Sequence, residues 1–393
     1  MVFDIGSERL KVLLGSCNET ASPKKPFFEL QGVTQNTRGV SRKGAIHAKD
    51  SFMKSIEAAC NALKTFTGFD TEEVHVLYNH PQVRYFIKTV GMHAIKNPNG
   101  IDITKEWLEK QKESIRKRIE KAHRQETCTY LHILSILADG ETITHDPYEY
   151  TATQSLSITF SYTVTPTIFI ETLRESLESV ADVKTIQPTA IANTFFLSEK
   201  QKEQGAIVCD IGANTTTITI CQDGIITGIR TALFGGNTIT NEIALIKKIS
   251  LEDAETLKCA LYDKEQDLKK KELQSLEKKI ADHLKKHVVS CVKESNALKD
   301  FPGGIILIGG GARYPGLDTI MEKVCKIYTT YAQIPSHIQN QRHTQQSLWQ
   351  SAYGFSHTLA VQRVTTERHL RDSDRSLWQT VTRGLDKLAR VFR

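Results

Sequence analysis

Residues 208–220 read Val-Cys-Asp-Ile-Gly-Ala-Asn-Thr-Thr-Thr-Ile-Thr-Ile, and residues 2–15 read Val-Phe-Asp-Ile-Gly-Ser-Glu-Arg-Leu-Lys-Val-Leu-Leu-Gly. Each is an apolar strand that ends on Asp, turns at Gly and resumes as a strand; in the first, Leu10, Val12 and Leu14 alternate with polar residues. A third stretch, the apolar run Ile305–Ile308, passes directly into Gly309-Gly310-Gly311-Ala312-Arg313. Glycine permits close backbone approach and positive φ, so backbone N–H groups can face an anion at such turns. An Asp ending a strand beside the turn suits Mg²⁺, held partly through water because this ion dehydrates reluctantly. A single Asp-Ile-Gly is an ordinary β-turn. Two of them in different halves of the chain, followed by a glycine run after a buried strand, point to two similar lobes closing on a nucleotide.

The rest of the sequence is compatible with that reading. The chain has 393 residues, more than one core usually supports, so two or more lobes are expected. Hydrophobic residues at 39% and charged residues at 24% exclude collagen-like and disordered classes. A net charge of +6 is too modest to require nucleic acid, and none is expected as a partner. No apolar run approaches the ~20 residues of a spanning helix. The acid at Asp4 and the lack of a basic n-region argue against a secretory leader. The eight Cys are scattered without a C-x-x-C pair, so neither a disulfide framework nor a zinc site is expected. His80, His283 and His287 lack clustered carboxylate or Cys partners and are read as structural or solvated.

Apolar spacing predicts a helix over 50–65 (Phe52, Ile56, Ala59, Ala62, Leu63), a strand near 74–77, a charged helix over 104–124, strands near 130–137 and 154–165, and a helix over 166–180. Residues 238–299 read as strongly helical and Lys/Glu-rich, and a helix follows the glycine run at 309–311. The charged segments 104–124 and 264–286 are taken as solvated helix faces. Strands alternating with helices imply an α/β protein.

With these motifs in hand, the sequence resembles the actin/Hsp70/hexokinase ATPase superfamily and, within it, the FtsA family of bacterial actin-like division proteins. The two hairpins look like its phosphate loops, GGNTITNEIA (235–244) like its glycine pair before a helix, and IILIGGGARYPGLDTIMEKV (305–324) like its adenosine motif. IQPTAIANTFFL (186–197) resembles the connecting segment. RGVSRKGAIHAKDSFMKSIEAA (38–59) and ILADGETITHDPYEYTATQSLSITFSYTV (136–164) resemble features particular to FtsA. The resemblance implies an actin-like (ribonuclease H-like) two-lobed ATPase fold with an inserted α+β subdomain and a C-terminal amphipathic helix. It implies ATP and Mg²⁺ as cofactors, with Asp4 and Asp210 ordering the metal and Asp210 the attacking water. Gly6, Ser7, Gly212, Ala213, Asn214, Thr215, Gly235, Gly236 and Asn237 would lie against the phosphates. Either Arg9 or Lys11, on one strand face, would reach a phosphate. Glu255 and Lys258 would bracket the ribose or adenine, with Gly309, Gly310 and Gly311 passing under the base. Gln187 falls where relatives place a water-orienting residue. Ala213-Asn214 replaces the usual glycines and Thr217 a common Asp; Asn214 tolerates positive φ, so binding is expected to survive and hydrolysis to be weak or absent.

The expected division is 1–79 with 165–204 and 345–362 as lobe 1, 80–164 as the inserted subdomain, 205–245 with 300–344 as lobe 2, and 246–299 as its helical subdomain. A polar linker at 363–374 then leads to DRSLWQTVTRGLDKLARVFR (374–393). Leu377, Trp378, Val381, Leu385, Leu388 and Phe392 form one apolar stripe, flanked by Arg383, Lys387 and Arg390. Trp and Phe beside basic residues, after a polar tether, are the signature of an interfacial membrane helix. One copy would bind an anionic surface reversibly and many copies tightly.

The favoured expectation is an ATP-binding cell division protein, peripheral on the cytoplasmic membrane face. It would polymerise with itself, hold the C-terminal tail of the tubulin-like FtsZ near 246–299, and meet other divisome proteins. Two alternatives stay open: a PilM-like actin-fold protein of type IV pilus assembly, which 208–240 resembles equally, and a small-molecule kinase of the same superfamily.

Overall fold

The two hairpins each start a sheet, and the two sheets are wired alike. In the first, Val2–Ile5 pairs antiparallel with Arg9–Asn18, which pairs antiparallel with Phe27–Asn36. On its other side Val2–Ile5 pairs parallel with Glu73–Tyr78, which pairs parallel with Asp182–Pro188. In the second, Ala206–Ile211 pairs antiparallel with Thr216–Gln222 and that strand antiparallel with Ile225–Ala232. Parallel partners Ile305–Ile308 and Thr329–Tyr331 complete it. Both sheets thus place the Asp-bearing strand at the centre, with a meander on one side and crossovers on the other. That order explains the buried strands, apolar except for Asp4 and Asp210: Val2–Ile5, Ala206–Ile211 and Ile305–Ile308 are buried along their whole length. The computed structural model that shows this describes residues 1–18, 27–36, 41–42, 45–46, 48–68, 73–92, 95, 99–143, 150–262, 268–294, 301–333, 338–340, 352, 356 and 359.

Each sheet buries one face under helices whose apolar stripes the sequence already showed. Phe52, Ile56 and Leu63 of the helix Lys49–Thr67, with Phe169 and Leu173 of Thr167–Glu178, pack on Phe3, Ile5, Leu10 and Val12. Gly68 ends the first helix at φ +76, its N–H donating to Lys64 O. In the second lobe Ile239 and Ile243 of Gly236–Lys247, with Leu276, Ile280 and Leu284 of Lys270–Leu284, cover Cys209, Ile211, Ile218 and Leu307. The helical expectation over 238–299 resolves into separate helices, the first ending at Lys248 with φ +55.

A further sheet lies between the halves of the first lobe in sequence: Glu141–Ile143, Glu126–Ala138, Leu156–Pro166 and Arg84–Met92, in that order. The helix Lys105–Ala122 lays Ile115 and Ile119 against Phe160 and Val164, while Lys110–Glu106 and Lys117–Glu113 pair on its exposed side. Thr104 caps it, accepting from Trp107 N–H at 3.1 Å. The buried Tyr78 hydroxyl lies 2.8 Å from Thr129 and 2.6 Å from Thr165, tying this sheet to the first lobe, and burial holds its phenol far above the usual range. Tyr85 donates to Ile226 O at 2.6 Å, so the same sheet also touches the second lobe.

One boundary differs from expectation. Ile338–Asn340 pairs parallel with Phe27–Asn36 in the first sheet, although 300–344 was assigned to the second lobe. Phe27–Asn36 is otherwise an edge strand, and its unpaired backbone groups make it the available template for a returning segment. Ala352 is buried with Val2, Leu13 and Leu77 in the first lobe. The stretches Phe27–Asn36, Arg84–Met92, Asp182–Pro188 and Ile225–Ala232 form strands that periodicity did not reveal. The last of these has Gly228 inside it, a residue that weakens a strand pattern. The tail residues Leu377, Trp378, Val381, Arg383, Leu385, Lys387, Leu388, Arg390 and Phe392 lie outside the described residues.

Phe52 is fully buried between helix and sheet, so Phe52→Ala is expected to destabilise the first lobe by about 3–5 kcal/mol, seen as a lowered midpoint in thermal or denaturant unfolding.

Candidate functional site

The two Asp-Ile-Gly turns close in the same way. Gly6 N–H donates to Arg9 O at 3.0 Å, and Gly212 N–H to Thr215 O at 2.9 Å. A Cβ on Gly6 would sit 2.9 Å from Arg9 O, and one on Gly212 3.2 Å from Thr215 O. Glycine is needed for close approach at Gly6, while at Gly212 a Cβ would be tight. Positive φ, expected from the sequence, is not used at either glycine, nor at Asn214. Ala213-Asn214 therefore strains nothing, and the left-handed conformation occurs instead at Gly309, with φ +89.

Asp4 is 3% exposed and forms an ion pair with Lys11 Nζ at 2.5 Å, because the two are opposite each other across the hairpin. Asp210 occupies the equivalent place in the second lobe, but its opposite residue is Thr217, whose buried hydroxyl has no partner among the described residues. Asp210 Oδ2 instead accepts from Asn193 Nδ2 at 3.3 Å. A Cβ on Gly309 would lie 2.4 Å from Asp210 Oδ1, so the third glycine turn packs directly on this carboxylate.

The helix Gly236–Lys247 begins against the second turn. Gly236 N–H donates to Gly212 O at 2.9 Å and Asn237 N–H to Ala213 O at 2.8 Å, so these two amides are taken by the loop rather than offered to a ligand. Gly235 has extended backbone, and its constraint is space, since a Cβ there would be 2.5 Å from Ala213 O. The Asn237 side chain donates to Asn214 Oδ1 at 3.0 Å and to Glu8 Oε1 at 3.1 Å. From the neighbouring helix Leu251–Tyr262, buried Lys258 pairs with Glu255 at 2.7 Å and donates to Thr240 Oγ1 at 2.9 Å. The Tyr262 ring lies between two cations, 5.8 Å from Lys258 Nζ and 5.7 Å from Arg313 Cζ. Burial pushes the Tyr262 phenol up beyond its ordinary range, and its hydroxyl has no partner among the described residues. Burial and Glu255 likewise push up the Cys259 thiol, which is a poor nucleophile there.

These segments enclose one cleft of about 610 Å³ between the lobes, within the usual range for small-molecule sites. Its wall includes residues 5–9 with Lys11, 212–215, 236–237, 310–311, and Glu255 and Lys258. Asp4, Asp210, Gly235 and Gly309 stand outside this wall, and the last three support it from behind through the contacts described above. Gln187, half-buried beside Leu77 in its strand, is not part of it. Sequence reasoning missed Glu8, Thr34, Gln35, Asn79, Phe169, Tyr262 and Arg313 on the wall, and Asn193 behind it. Tyr262 was findable, one helical turn beyond Lys258; Thr34, Gln35 and Asn79 carry no local signal.

The residues present fit a phosphate-bearing small molecule: glycine turns, the basic side chains Arg9, Lys11, Lys258 and Arg313, and an aromatic end at Tyr262. Among the described residues no group of three or more His, Cys, Asp or Glu clusters as for a tightly held metal. Mg²⁺ uses one or two carboxylates, waters and substrate phosphates, and the carboxylates at the two hairpins, Asp4 and Asp210, lie behind the cleft wall, where an ion would meet them through water. His80 packs on the Phe169 ring at 4.6 Å, and His283 pairs with Glu242 at 2.8 Å.

A model of the family described as Cell division protein FtsA matches residues 207–353, which span the second lobe with its glycine turns and the return of the chain to the first sheet. The Bacillus subtilis cell division protein FtsA is 25% identical over 353 residues, covering 82% of this chain and 76% of that protein. The Streptococcus pneumoniae cell division protein FtsA is likewise 26% identical over 357 residues, covering 82% of this chain and 72% of that protein. Solved structures agree on the fold: the PilM-PilN type IV pilus biogenesis complex gives a TM-score of 0.60 at 14% identity, covering 90% of this chain and 96% of that one. MreB5 of Spiroplasma citri bound to ADP gives 0.51 at 12% identity, covering 93% and 97%. The fold is actin-like, and the FtsA resemblance extends well beyond the second lobe.

Gly309→Ala sets a Cβ against the Asp210 carboxylate in a left-handed backbone, and is expected to lower stability by about 1–3 kcal/mol with a visibly reduced melting temperature.

Proposed function

We propose that this FtsA-like chain binds ATP with Mg²⁺ in the interlobe cleft and works as a filament-forming adaptor that holds FtsZ to the cytoplasmic face of the membrane. The observation that carries the nucleotide part is the convergence of both Asp-Ile-Gly turns and the Gly310-Gly311 turn on one cleft. Ser7 and residues 212–215 are suited to the phosphates, and Arg9, which is exposed, is the more available of the two basic residues because Lys11 is engaged by Asp4. Glu255, Lys258, Tyr262 and Arg313 form the end suited to ribose and base. Asp4 and Asp210 would hold Mg²⁺ partly through water, and the bound ion would supply charge neutralisation at the phosphates. Gln187 stands apart from the cleft wall, and Thr217 offers a hydroxyl where a carboxylate would activate water, which supports a ligand that sets conformation and assembly more than one that is rapidly hydrolysed.

The adaptor part rests on the FtsA relatives and on residues 374–393. Among the described residues no helix is long and apolar enough to cross a membrane. The tail's large apolar side chains would each gain on the order of 1 kcal/mol on partial burial in lipid, and its basic residues about 1 kcal/mol each near anionic headgroups. FtsZ binding near 246–299, self-assembly and contact with other divisome proteins belong to this same reading. The pilus-assembly alternative has the fold likeness in its favour, while the sequence relatives favour cell division.

Asp210→Ala should weaken Mg²⁺-ATP binding at least about tenfold in calorimetric titration; an unaltered affinity would place the ligand elsewhere. Removing residues 375–393 should abolish co-sedimentation with anionic liposomes while nucleotide binding stays as it was, and unchanged sedimentation would refute the anchor.

A further inference from the structure

Glu8 stands at the tip of the first hairpin turn, between Ser7 and Arg9, and is an acidic side chain among turns that otherwise suit an anion. Its Oε1 accepts a hydrogen bond from Asn237 Nδ2 at 3.1 Å, and the same amide donates to Asn214 Oδ1 at 3.0 Å. One side-chain amide therefore joins the turn of the first lobe to the turn of the second. Asn237 belongs to the first turn of the helix Gly236–Lys247, where the macrodipole favours negative charge. The backbone amides of Gly236 and Asn237 already donate to Gly212 and Ala213. What this helix start presents to the cleft is accordingly the Asn237 side chain, and a carboxylate of the protein itself is bonded to it. Two of the cleft's cations have other carboxylates: Lys11 pairs with Asp4, and Lys258 with Glu255.

We infer that Glu8 is a tethered anion that competes with the outermost phosphate of the cleft's ligand for the Asn237 amide, so that loading a triphosphate breaks the Glu8–Asn237 bridge between the lobes. The inference rests on the cleft being a nucleotide site. A third phosphate added at the turns meets both a like charge and an occupied donor, whereas a diphosphate ending short of the bridge leaves it intact. Glu8 in this way lowers the preference for triphosphate over diphosphate and couples the number of phosphates to the contact between lobes.

The test is calorimetric titration of the full chain, in Mg²⁺, with ATP, ADP and inorganic tripolyphosphate, using wild type, Glu8→Gln and Glu8→Ala. Both variants should bind ATP and tripolyphosphate about tenfold more tightly, with ADP affinity changed by less than about twofold. Glu8→Gln keeps an acceptor for Asn237 and removes only the charge, so it holds the test open if Glu8→Ala does not fold. A merely structural role would move ATP and ADP affinity together. An unchanged ATP-to-ADP ratio in both variants, or tightening in Glu8→Ala alone, overturns the competition while leaving the nucleotide site standing. Binding by the variants but not by wild type supports it. No binding by any of the three proteins to any of the three ligands overturns both the competition and the nucleotide reading.

Discussion

Everything at the centre of this molecule depends on backbone meeting backbone without an intervening Cβ. Gly235 approaches Ala213 O, Gly309 lies on the Asp210 carboxylate, and Gly311 lies on the Ile211 side chain and Gly212 O, each where a Cβ would fall 2.4–2.8 Å from the facing atom. Real side chains never approach so closely, so any larger residue would push apart segments drawn from three regions of the chain. These contacts set the start of the helix Gly236–Lys247 against the second turn, and that placement decides which polar groups reach the cleft. The duplicated sheet wiring supplies the frame, with each Asp-bearing strand central and each Asp at its end.

The electrostatics of the cleft follow from this packing. Two of its four cations are committed to carboxylates of the protein, Lys11 to Asp4 and Lys258 to Glu255. Taking either carboxylate away would leave a half-buried or buried ammonium unpaired, which is more costly than the pair is stabilising. The lobes differ at one telling place. Asp4 faces Lys11 across its hairpin, and Asp210 faces Thr217, so the second carboxylate relies on the neutral amide of Asn193. The first lobe thus neutralises its buried charge within the hairpin, and the second holds its carboxylate partly through a contact from outside the hairpin.

The inserted sheet is held from both sides, through Tyr78 to Thr129 and Thr165 and through Tyr85 to Ile226 O. A rearrangement of the cleft that shifted one lobe against the other would therefore be felt at this sheet as well.

Several features were legible in the residues alone. The Asp-Ile-Gly hairpins, the buried strand before Gly309 and the helices over Lys49–Thr67 and Lys105–Ala122 announce themselves through local chemistry, since periodicity and glycine placement are properties of neighbouring residues. The cleft positions 6, 7, 212–215 and 310–311 were found for the same reason. The tertiary structure decided the rest. It brought Thr34, Gln35, Asn79 and Phe169 to the cleft, set Arg313 and Lys258 at 5.7 and 5.8 Å from the Tyr262 ring centre, and sent Ile338–Asn340 back to the first sheet. It also gave the amides of Gly236 and Asn237, two residues that the family resemblance placed against the phosphates, to the loop at 212–213. Those outcomes depend on which distant surfaces meet and which hydrogen-bonding groups find partners first, and no stretch of neighbouring residues carries that information.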